Sequence, residues 1–295
     1  MKAPLPSVEG VAPSRQRLPA GHWKTVLEFL AERFPAVGRE AWLGRMRRGL
    51  VVDERGTRLD AESPYRAGAC VYYYRELETE RQVPFEERVV YRDAHLLVAD
   101  KPHFLPVVPA GRFLRESLLA RLRRRGLPEQ LAPVHRIDRE TAGLVLFSLD
   151  PATRGLYTSL FRERRVRKVY EALVPTTAGH AFPLTRRSRV VPGEPFFRMK
   201  EVEGEPNSET LIELSEERAG GGALLRLEPL TGRKHQLRLH LSALGMPIVN
   251  DRLYPSVGPD EEDDFTRPLK LLAKSISFTD PLTNEERRFE SDGEL

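Results

Sequence analysis

Short apolar runs separated by turn residues recur from Val89 to Thr279, and few stretches between them are long enough for a helix. That punctuation restricts the fold more than any other feature. An apolar run of about four to eight residues bounded by turn signals suits a strand, whereas a helix needs about ten or more at a 3.6-residue period. Val89-Val90-Tyr91 and residues 96–102 flank a tight Arg92-Asp93 turn, which pairs them antiparallel. Further strands are expected at residues 144–148, 167–174, 209–214, 223–230 and 276–279. Helices are expected at 114–124, 151–161 and 236–243, the last ending near Gly245. Many strands with few interposed helices give an α+β class built on a mixed, largely antiparallel sheet.

The chain before residue 88 reads differently. Residues 1–21 hold Pro4, Pro6, Pro13 and Pro19 with little apolar content, and are expected to be a disordered lead. Residues 22–75 read as a small module, with helices at 23–30 and 39–48 followed by strands at 49–53 and 69–74. Residues 76–87 are polar, contain Pro84 and lack periodicity, so they are expected to be a linker to a main domain over 88–295. No stretch approaches the roughly 18–20 apolar residues of a membrane helix, and the lead lacks the apolar core of a secretory signal. Cys70 is the only cysteine, which excludes a disulfide within the chain and a cysteine-cluster zinc site. These features lead to the expectation of a cytoplasmic monomer with no membrane partner.

The net charge is only +4, but it is unevenly spread. Arg121, Arg123, Arg124 and Arg125 form one basic cluster; Arg162, Arg164, Arg165, Arg167 and Lys168 form a second; Arg186, Arg187 and Arg189 form a third. Acid gathers at Asp260-Glu261-Glu262-Asp263-Asp264, which reads as a solvated loop. Separated basic and acidic clusters suit a surface that meets a polyanion, although solvated helix faces produce the same pattern.

Three segments place polar residues beside strands where core packing does not require them. One is the loop His135-Arg136-Ile137-Asp138-Arg139-Glu140-Thr141, which runs into a small residue, Gly143 and an apolar strand. Another is Arg167-Lys168-Val169-Tyr170, where a phenol enters an otherwise aliphatic strand. The third is Thr231-Gly232-Arg233-Lys234-His235-Gln236-Leu237-Arg238. There Arg238 falls early in a helix, where the dipole disfavours a cation, so it calls for an anionic partner, either a carboxylate or an RNA phosphate.

His135 to Leu144 closely resembles the His-Arg-Leu-Asp-x-x-Thr-Ser-Gly-Leu run of the RluA-type pseudouridine synthases, with Ile137 and Ala142 as mild departures. Thr231 to Arg238 resembles that family's second motif, and Gly245-Met246-Pro247-Ile248-Val249-Asn250-Asp251 its continuation. Val89 to Pro102 is similar to its opening strand pair, and Leu271 to Pro281 to its C-terminal stretch, with Leu272 where the family commonly has His. Residues 22–75 resemble the αL-type RNA-binding module that often precedes these enzymes, with Trp23-Lys24-Thr25-Val26-Leu27 and Val52-Asp53-Glu54-Arg55-Gly56 departing from its usual motifs.

The resemblance implies a pseudouridine synthase-like catalytic domain that isomerises uridine to pseudouridine in structured RNA, with no cofactor and no metal. Ribosomal RNA is the first expected partner and transfer RNA the alternative. By the same resemblance Asp138 is the catalytic carboxylate, acting either as a nucleophile or as a base toward the sugar. Tyr170 is implied to stack on the target base and to assist proton removal from C5, and Arg238 to pair with Asp138 and keep it ionised. Arg136 would enter the space left when the base flips out. His135, Thr141, Arg233, His235, Gln236, Arg165, Arg167 and Lys168 complete the expected RNA-contacting set, the cations serving phosphates.

Two other readings of these motifs fail on the residues themselves. His135 and His240 lack companion ligands for a metal, and the His-Arg-Asp loop of kinases is broken here by Ile137, with no glycine-rich phosphate loop. A non-catalytic RNA binder on the same fold would have no need of Asp138, Tyr170 and Arg238 together. A protein-binding assembly factor would lack salt-sensitive RNA affinity.

Overall fold

The computed structural model describes residues 4–77, 79–218, 220–258 and 262–295, and the chain divides into two compact units. The first comprises residues 1–80 with 111–115 and 120–129; the second comprises 81–110, 116–119 and 130–295.

In the first unit β1 (Ser14–Arg17), α1 (Val26–Arg33), α2 (Arg39–Arg47), β2 (Val51–Asp53) and β3 (Cys70–Tyr73) build a three-stranded antiparallel sheet in the order β1-β3-β2. The helix–helix–strand–strand succession is present, but β1 lies within the lead expected to be disordered. Its Ser-Arg-Gln-Arg sequence has no apolar residue to signal a strand. It is held instead by pairing with β3 and by Leu18, which is buried with Leu30, Trp42 and Tyr73. Residues 1–3 of that lead lie outside the described residues. Thr25 caps α1 by accepting from the Glu28 amide, while the Glu28 carboxylate accepts from the amide of Lys24, the residue before the cap.

The expected linker is packed rather than loose. Glu76 pairs with Arg45 and Arg48, and the buried Glu80 carboxylate accepts from the backbone amides of Leu114 and Arg115. The helix expected from residue 114 begins only at α3 (Leu118–Arg124), where the Leu118 and Leu119 amides donate to the Pro106 and Val107 carbonyls at 2.8 and 3.0 Å.

The second unit is organised by one 11-stranded sheet. Its strands are β4 (Arg88–Arg92), β5 (Leu96–Lys101), β6 (Ala132–Pro133), β7 (Ala142–Ser148), β8 (Arg167–Val174), β9 (Leu184–Pro192), β10 (Met199–Val202), β11 (Ser208–Glu217), β12 (Ala223–Pro229), β13 (Leu271–Thr279) and β14 (Glu286–Glu290). The main order is β10-β9-β11-β12-β8-β13-β7-β5-β4, with β14 on β13 and β6 on β7. Only β13 and β7 pair in parallel; every other pair is antiparallel, giving the expected mixed, largely antiparallel α+β sheet. β9, β10 and β14 carry no apolar run: their sequences are rich in charge and alternate partly buried with exposed positions.

Two helices, α4 (Arg154–Arg162) and α5 (Gln236–Ala243), cover apolar stripes of this sheet. Tyr157 and Leu160 of α4 pack with Leu96, Val98, Leu144, Leu146, Ile276 and Phe278, residues two apart on β5, β7 and β13 and hence on one face of each strand. Leu237 and Leu241 of α5, one turn apart, pack with Ala172, Val174, Ile212, Leu225 and Leu227. Each fully buried aliphatic side chain contributes about 1.5–3 kcal/mol by leaving water.

The parallel contact decides where the Asp138 loop ends. At Gly143 the backbone has φ +110°, and a Cβ there would stand 2.3 Å from the Ala273 carbonyl oxygen. Only glycine lets β7 lie against β13 at this point.

Candidate active site

Residues 135–141 leave β6 and re-enter the sheet at β7, lining a cleft of ≈ 1010 Å³. The 229–238 turn, Lys168 and Tyr170 of β8, Arg162 at the end of α4 and Arg164 after it line the same cleft. Asp138, Tyr170 and Arg238, distant in sequence, therefore meet in one place.

The loop is held by its backbone and by its flanking side chains. The buried Lys101 ammonium donates to the Pro102 and Arg139 carbonyls at 2.9 and 3.1 Å. Since a carbonyl only accepts, His103 Nδ1–H donates to the Glu140 carbonyl at 2.6 Å. Burial lowers the Lys101 pKa to about 7, an effect the carboxylates of Glu140 and Asp138 only partly offset.

Arg238 sits in the first turn of α5 with a side chain only 1% exposed. Its fork is closed on Asp251: Nε donates to Oδ2 at 2.8 Å and Nη2 to Oδ1 at 2.7 Å. The remaining nitrogen, Nη1, lies 3.4 Å from Glu140 Oε2 and 3.6 Å from Asp138 Oδ2. The anionic partner called for at this helix position is thus a carboxylate, and the main one is Asp251 rather than Asp138. Burial opposes the Arg238 charge, but the Asp251 hydrogen bonds and the charges of Asp251, Asp138 and Glu140 outweigh it and raise the pKa.

Glu140 is the second residue that sequence reasoning passed over. Burial works against its charge, yet the guanidinium groups of Arg139 and Arg238 prevail and hold its pKa down at about 2. Asp138 itself makes no hydrogen bond among the described residues and keeps a side chain 25% exposed. Tyr170 lies in register with Leu227 of β12 and Ala273 of β13. Its phenol pKa is raised, first by burial and then by the Asp138 charge.

Residues 95–243 match the RNA pseudouridylate synthase family. The chain is 33% identical over 207 residues to the dual-specificity RNA pseudouridine synthase RluA of Escherichia coli strain K12, a match covering 69% of this chain and 91% of that protein. The chain belongs to the RluA-type RNA pseudouridine synthases. It isomerises uridine to pseudouridine in RNA. An uncharacterized RNA pseudouridine synthase of Synechocystis sp. is 31% identical over 234 residues, covering 78% of this synthase and 79% of the relative. The solved structure of human RNA pseudouridylate synthase domain containing 1 superposes with a TM-score of 0.59 at 27% identity, covering 73% of this synthase and 86% of that chain.

The other expected contact residues of the synthase divide by what they already bind. Arg136 is exposed at the cleft with no side-chain partner among the described residues. Lys168 lines the cleft, 3.4 Å from the Thr231 carbonyl, and burial lowers its pKa to about 8. Arg233 also lines it, donating from Nε to the Asn207 carbonyl at 3.1 Å. Thr141 is buried at the cleft wall. Arg165 is exposed beside Glu163, outside the cleft lining, and Arg167 closes a two-pronged pair on Glu228 at 2.8 and 2.9 Å.

Three polar residues expected to meet RNA are turned to structural work. Gln236 Oε1 accepts from Thr231 Oγ1 and Arg233 N, and its Nε2 donates to Glu209 O and Thr210 Oγ1. All four of its hydrogen-bonding positions are filled, so it clamps the turn and has none to offer RNA. His135 stacks on Phe161, with ring centroids 4.6 Å apart, and Nε2 accepts from Leu146 N at 3.1 Å. Burial, with help from Lys168, lowers its pKa to about 3, so it is neutral. His235 is buried at φ +55° with Nδ1 3.1 Å from the Tyr254 hydroxyl. His240, weighed above as a metal ligand, is buried among Ser188, Ser208 and Thr210 at 2.9–3.1 Å.

The acidic stretch is not simply a solvated loop. Asp263 is buried and closes on Arg139, next to Asp138, at 2.6 and 2.9 Å; Asp260 and Glu261 lie outside the described residues. Among the described residues no helix is long and apolar enough to cross a membrane.

Proposed function

We propose that this synthase modifies a uridine in ribosomal RNA, with transfer RNA as the second substrate class, and that Asp138 is the carboxylate that does the chemistry. The observation that carries the reading is the pairing around Arg238. Its fork belongs to Asp251, so Asp138 meets one nitrogen at 3.6 Å and retains an open carboxylate facing the cleft. A carboxylate not enclosed by hydrogen bonds keeps lone pairs for reaction. During the isomerisation the N1–C1′ bond breaks, the uracil turns, and C5 bonds to C1′. Asp138 serves either by attacking the sugar or by removing a sugar proton.

The raised pKa of Tyr170 keeps its phenol protonated near neutrality, which favours stacking on the base over service as a phenolate base. Reaching this site requires the uridine to leave its stack. Arg136, exposed at the cleft and without a side-chain partner among the described residues, suits the vacated space. Arg162, Arg164, Lys168, Arg233 and Lys234 line the cleft and suit the flanking phosphates. The first unit serves as an accessory RNA-binding module. The name of the Escherichia coli relative includes dual specificity, which supports testing both RNA classes.

Asp138→Asn is expected to lower tritium release from RNA labelled with 5-tritiated uridine by at least about 1,000-fold, with RNA binding kept within about threefold. Wild-type release by that variant would refute the assignment. Pseudouridine mapping of RNA from cells with and without the gene is expected to show a ribosomal RNA site lost; a loss confined to transfer RNA would establish the second class instead.

A further inference from the structure

We propose that residues 262–265 form a positioning clamp for the catalytic loop, with Asp263 acting on Asp138 through Arg139; this rests on the reading of Asp138 given above. Acidic runs are ordinarily solvated, yet the Asp263 side chain is only 5% exposed. Its two carboxylate oxygens accept from Nη1 and Nη2 of Arg139 at 2.6 and 2.9 Å. Its carbonyl accepts from Arg81 Nη1 at 2.9 Å. The Arg81 guanidinium in turn lies 4.4 Å from the centroid of the Phe265 ring. Phe265 packs edge-on against Phe104 and Phe85 at 5.1 and 5.9 Å. The segment is therefore fixed at Asp263 and at Phe265 after it.

From Asp263 the charges alternate toward the reacting group. Arg139 Nε donates to Glu140 Oε1 at 3.0 Å, Glu140 Oε2 lies 3.4 Å from Arg238 Nη1, and that nitrogen is 3.6 Å from Asp138 Oδ2. Asp138 has no hydrogen bond of its own among the described residues, so its aim is set by residues 139 and 140. Lys101 and His103 hold the carbonyls of those residues, while Asp263 and Arg238 hold their side chains. Neutralising Asp263 removes the charge that holds the Arg139 guanidinium at Nη1 and Nη2. Arg139 then competes more strongly for Glu140, Glu140 leaves Arg238, and Arg238 Nη1 closes on Asp138. A misplacement of about 1 Å at a reacting group costs on the order of 100-fold in rate. Asp263 is not among the cleft-lining residues, so RNA binding is spared.

The test uses the full chain and 5-tritiated total RNA from cells lacking the gene, with single-turnover tritium release, filter binding to the same RNA, and a melting curve for each variant. Asp263→Asn is expected to slow release by about 10- to 100-fold with RNA affinity within about twofold, and Asp263→Glu to recover most of the rate by restoring the charge. A rate for Asp263→Asn within about twofold of wild type overturns the clamp. So does a rate that falls in step with RNA affinity and melting temperature, or that Asp263→Glu fails to recover. Asp138→Asn, run in parallel, separates the two readings. If it is inert while Asp263→Asn runs at the wild-type rate, the clamp alone fails; if it releases tritium normally, the catalytic reading fails and the clamp with it.

Discussion

The Arg238–Asp251 pair makes a quantitative claim. Both side chains are essentially sealed from solvent, at 1% and 0% exposure. Removing one member of such a pair strands a buried charge, at a cost of about 3–5 kcal/mol. Asp251→Asn removes the charge and keeps one acceptor: its side-chain oxygen can still accept the bonds that Asp251 Oδ1 takes from Leu253 N at 2.8 Å and Tyr254 N at 3.2 Å, while its amide nitrogen, a donor, would face the donor Arg238 Nε. Glu140 and Asp138 remain within 3.6 Å of Nη1, which puts the expected loss at the low end, about 3 kcal/mol. That corresponds to a fall in melting temperature of roughly 6–12 °C for a unit of this size. Both tryptophans, Trp23 and Trp42, belong to the first unit, so calorimetry rather than indole fluorescence is the assay. The freed fork is expected to close on Asp138 and slow tritium release by at least about 10-fold, following the cost of misplaced reacting groups. Replacing both partners, as Asp251→Leu with Arg238→Met, should recover most of the stability while leaving the enzyme inert. A melting temperature for Asp251→Asn within 2 °C of wild type, on the scale of about 2–4 °C per kcal/mol, would refute the pairing argument.

Gly143→Ala is expected to destabilise the second unit by about 3 kcal/mol or more, because φ +110° is strained for alanine and its Cβ meets the Ala273 carbonyl at 2.3 Å. Calorimetry checks it, and an unchanged second-unit transition would mean the β7–β13 approach is looser than described. Glu140 is held near pKa 2, against 4.5 when unperturbed, so its contribution of about 3 kcal/mol is present above pH 4.5 and lost as pH falls toward 2. The stability gap between wild type and Glu140→Gln should therefore narrow across that window in acid titrations of the melting transition; a gap that stays constant from pH 5 to 2 would contradict the ion-pair account.

What the sequence made legible was local. The apolar run of β7, the α5 boundaries and the turn before α5 are written in consecutive residues, and they place Asp138 in the loop before β7 and Arg238 in the first turn of α5; the β8 run places Tyr170 inside a strand. Strands such as β9 and β14 were not legible, because each gains its place from a partner strand rather than from an apolar run of its own. Partner choice was hidden for a similar reason. Arg238 could be seen to need an anion, yet Asp251 and Glu140 differ from any other carboxylate only by where the fold carries them. Arg167 looked like a phosphate ligand until the β8–β12 pairing brought Glu228 beside it. Gln236 looked available until the turn closed around its amide. Asp263 looked solvated because its charge, not its burial, is what composition records.

If Asp138 has the proposed role, the arrangement of charge also explains how one cleft would receive a polyanion and still keep a reactive carboxylate. Around the Asp138 loop, the carboxylates of Asp138, Glu140, Asp251 and Asp263 outnumber the guanidinium groups of Arg139 and Arg238, and Lys101, with a pKa near 7, adds only part of a positive charge at neutrality. The negative excess falls on Asp138, the member with the fewest contacts. Phosphates are repelled from such a centre, whereas the cations lining the cleft, Arg162, Arg164, Arg233 and Lys234, attract them. The uracil and ribose carry no charge and can enter where the phosphates cannot. In the proposed reaction C1′ gains positive character as the N1–C1′ bond lengthens, and an under-neutralised Asp138 carboxylate would stabilise that charge more than it stabilises the neutral ground state. On this account Asp251 does more than neutralise Arg238. By occupying the fork it prevents Arg238 from quenching Asp138, so replacing Asp251 should damage the rate even where the fold survives.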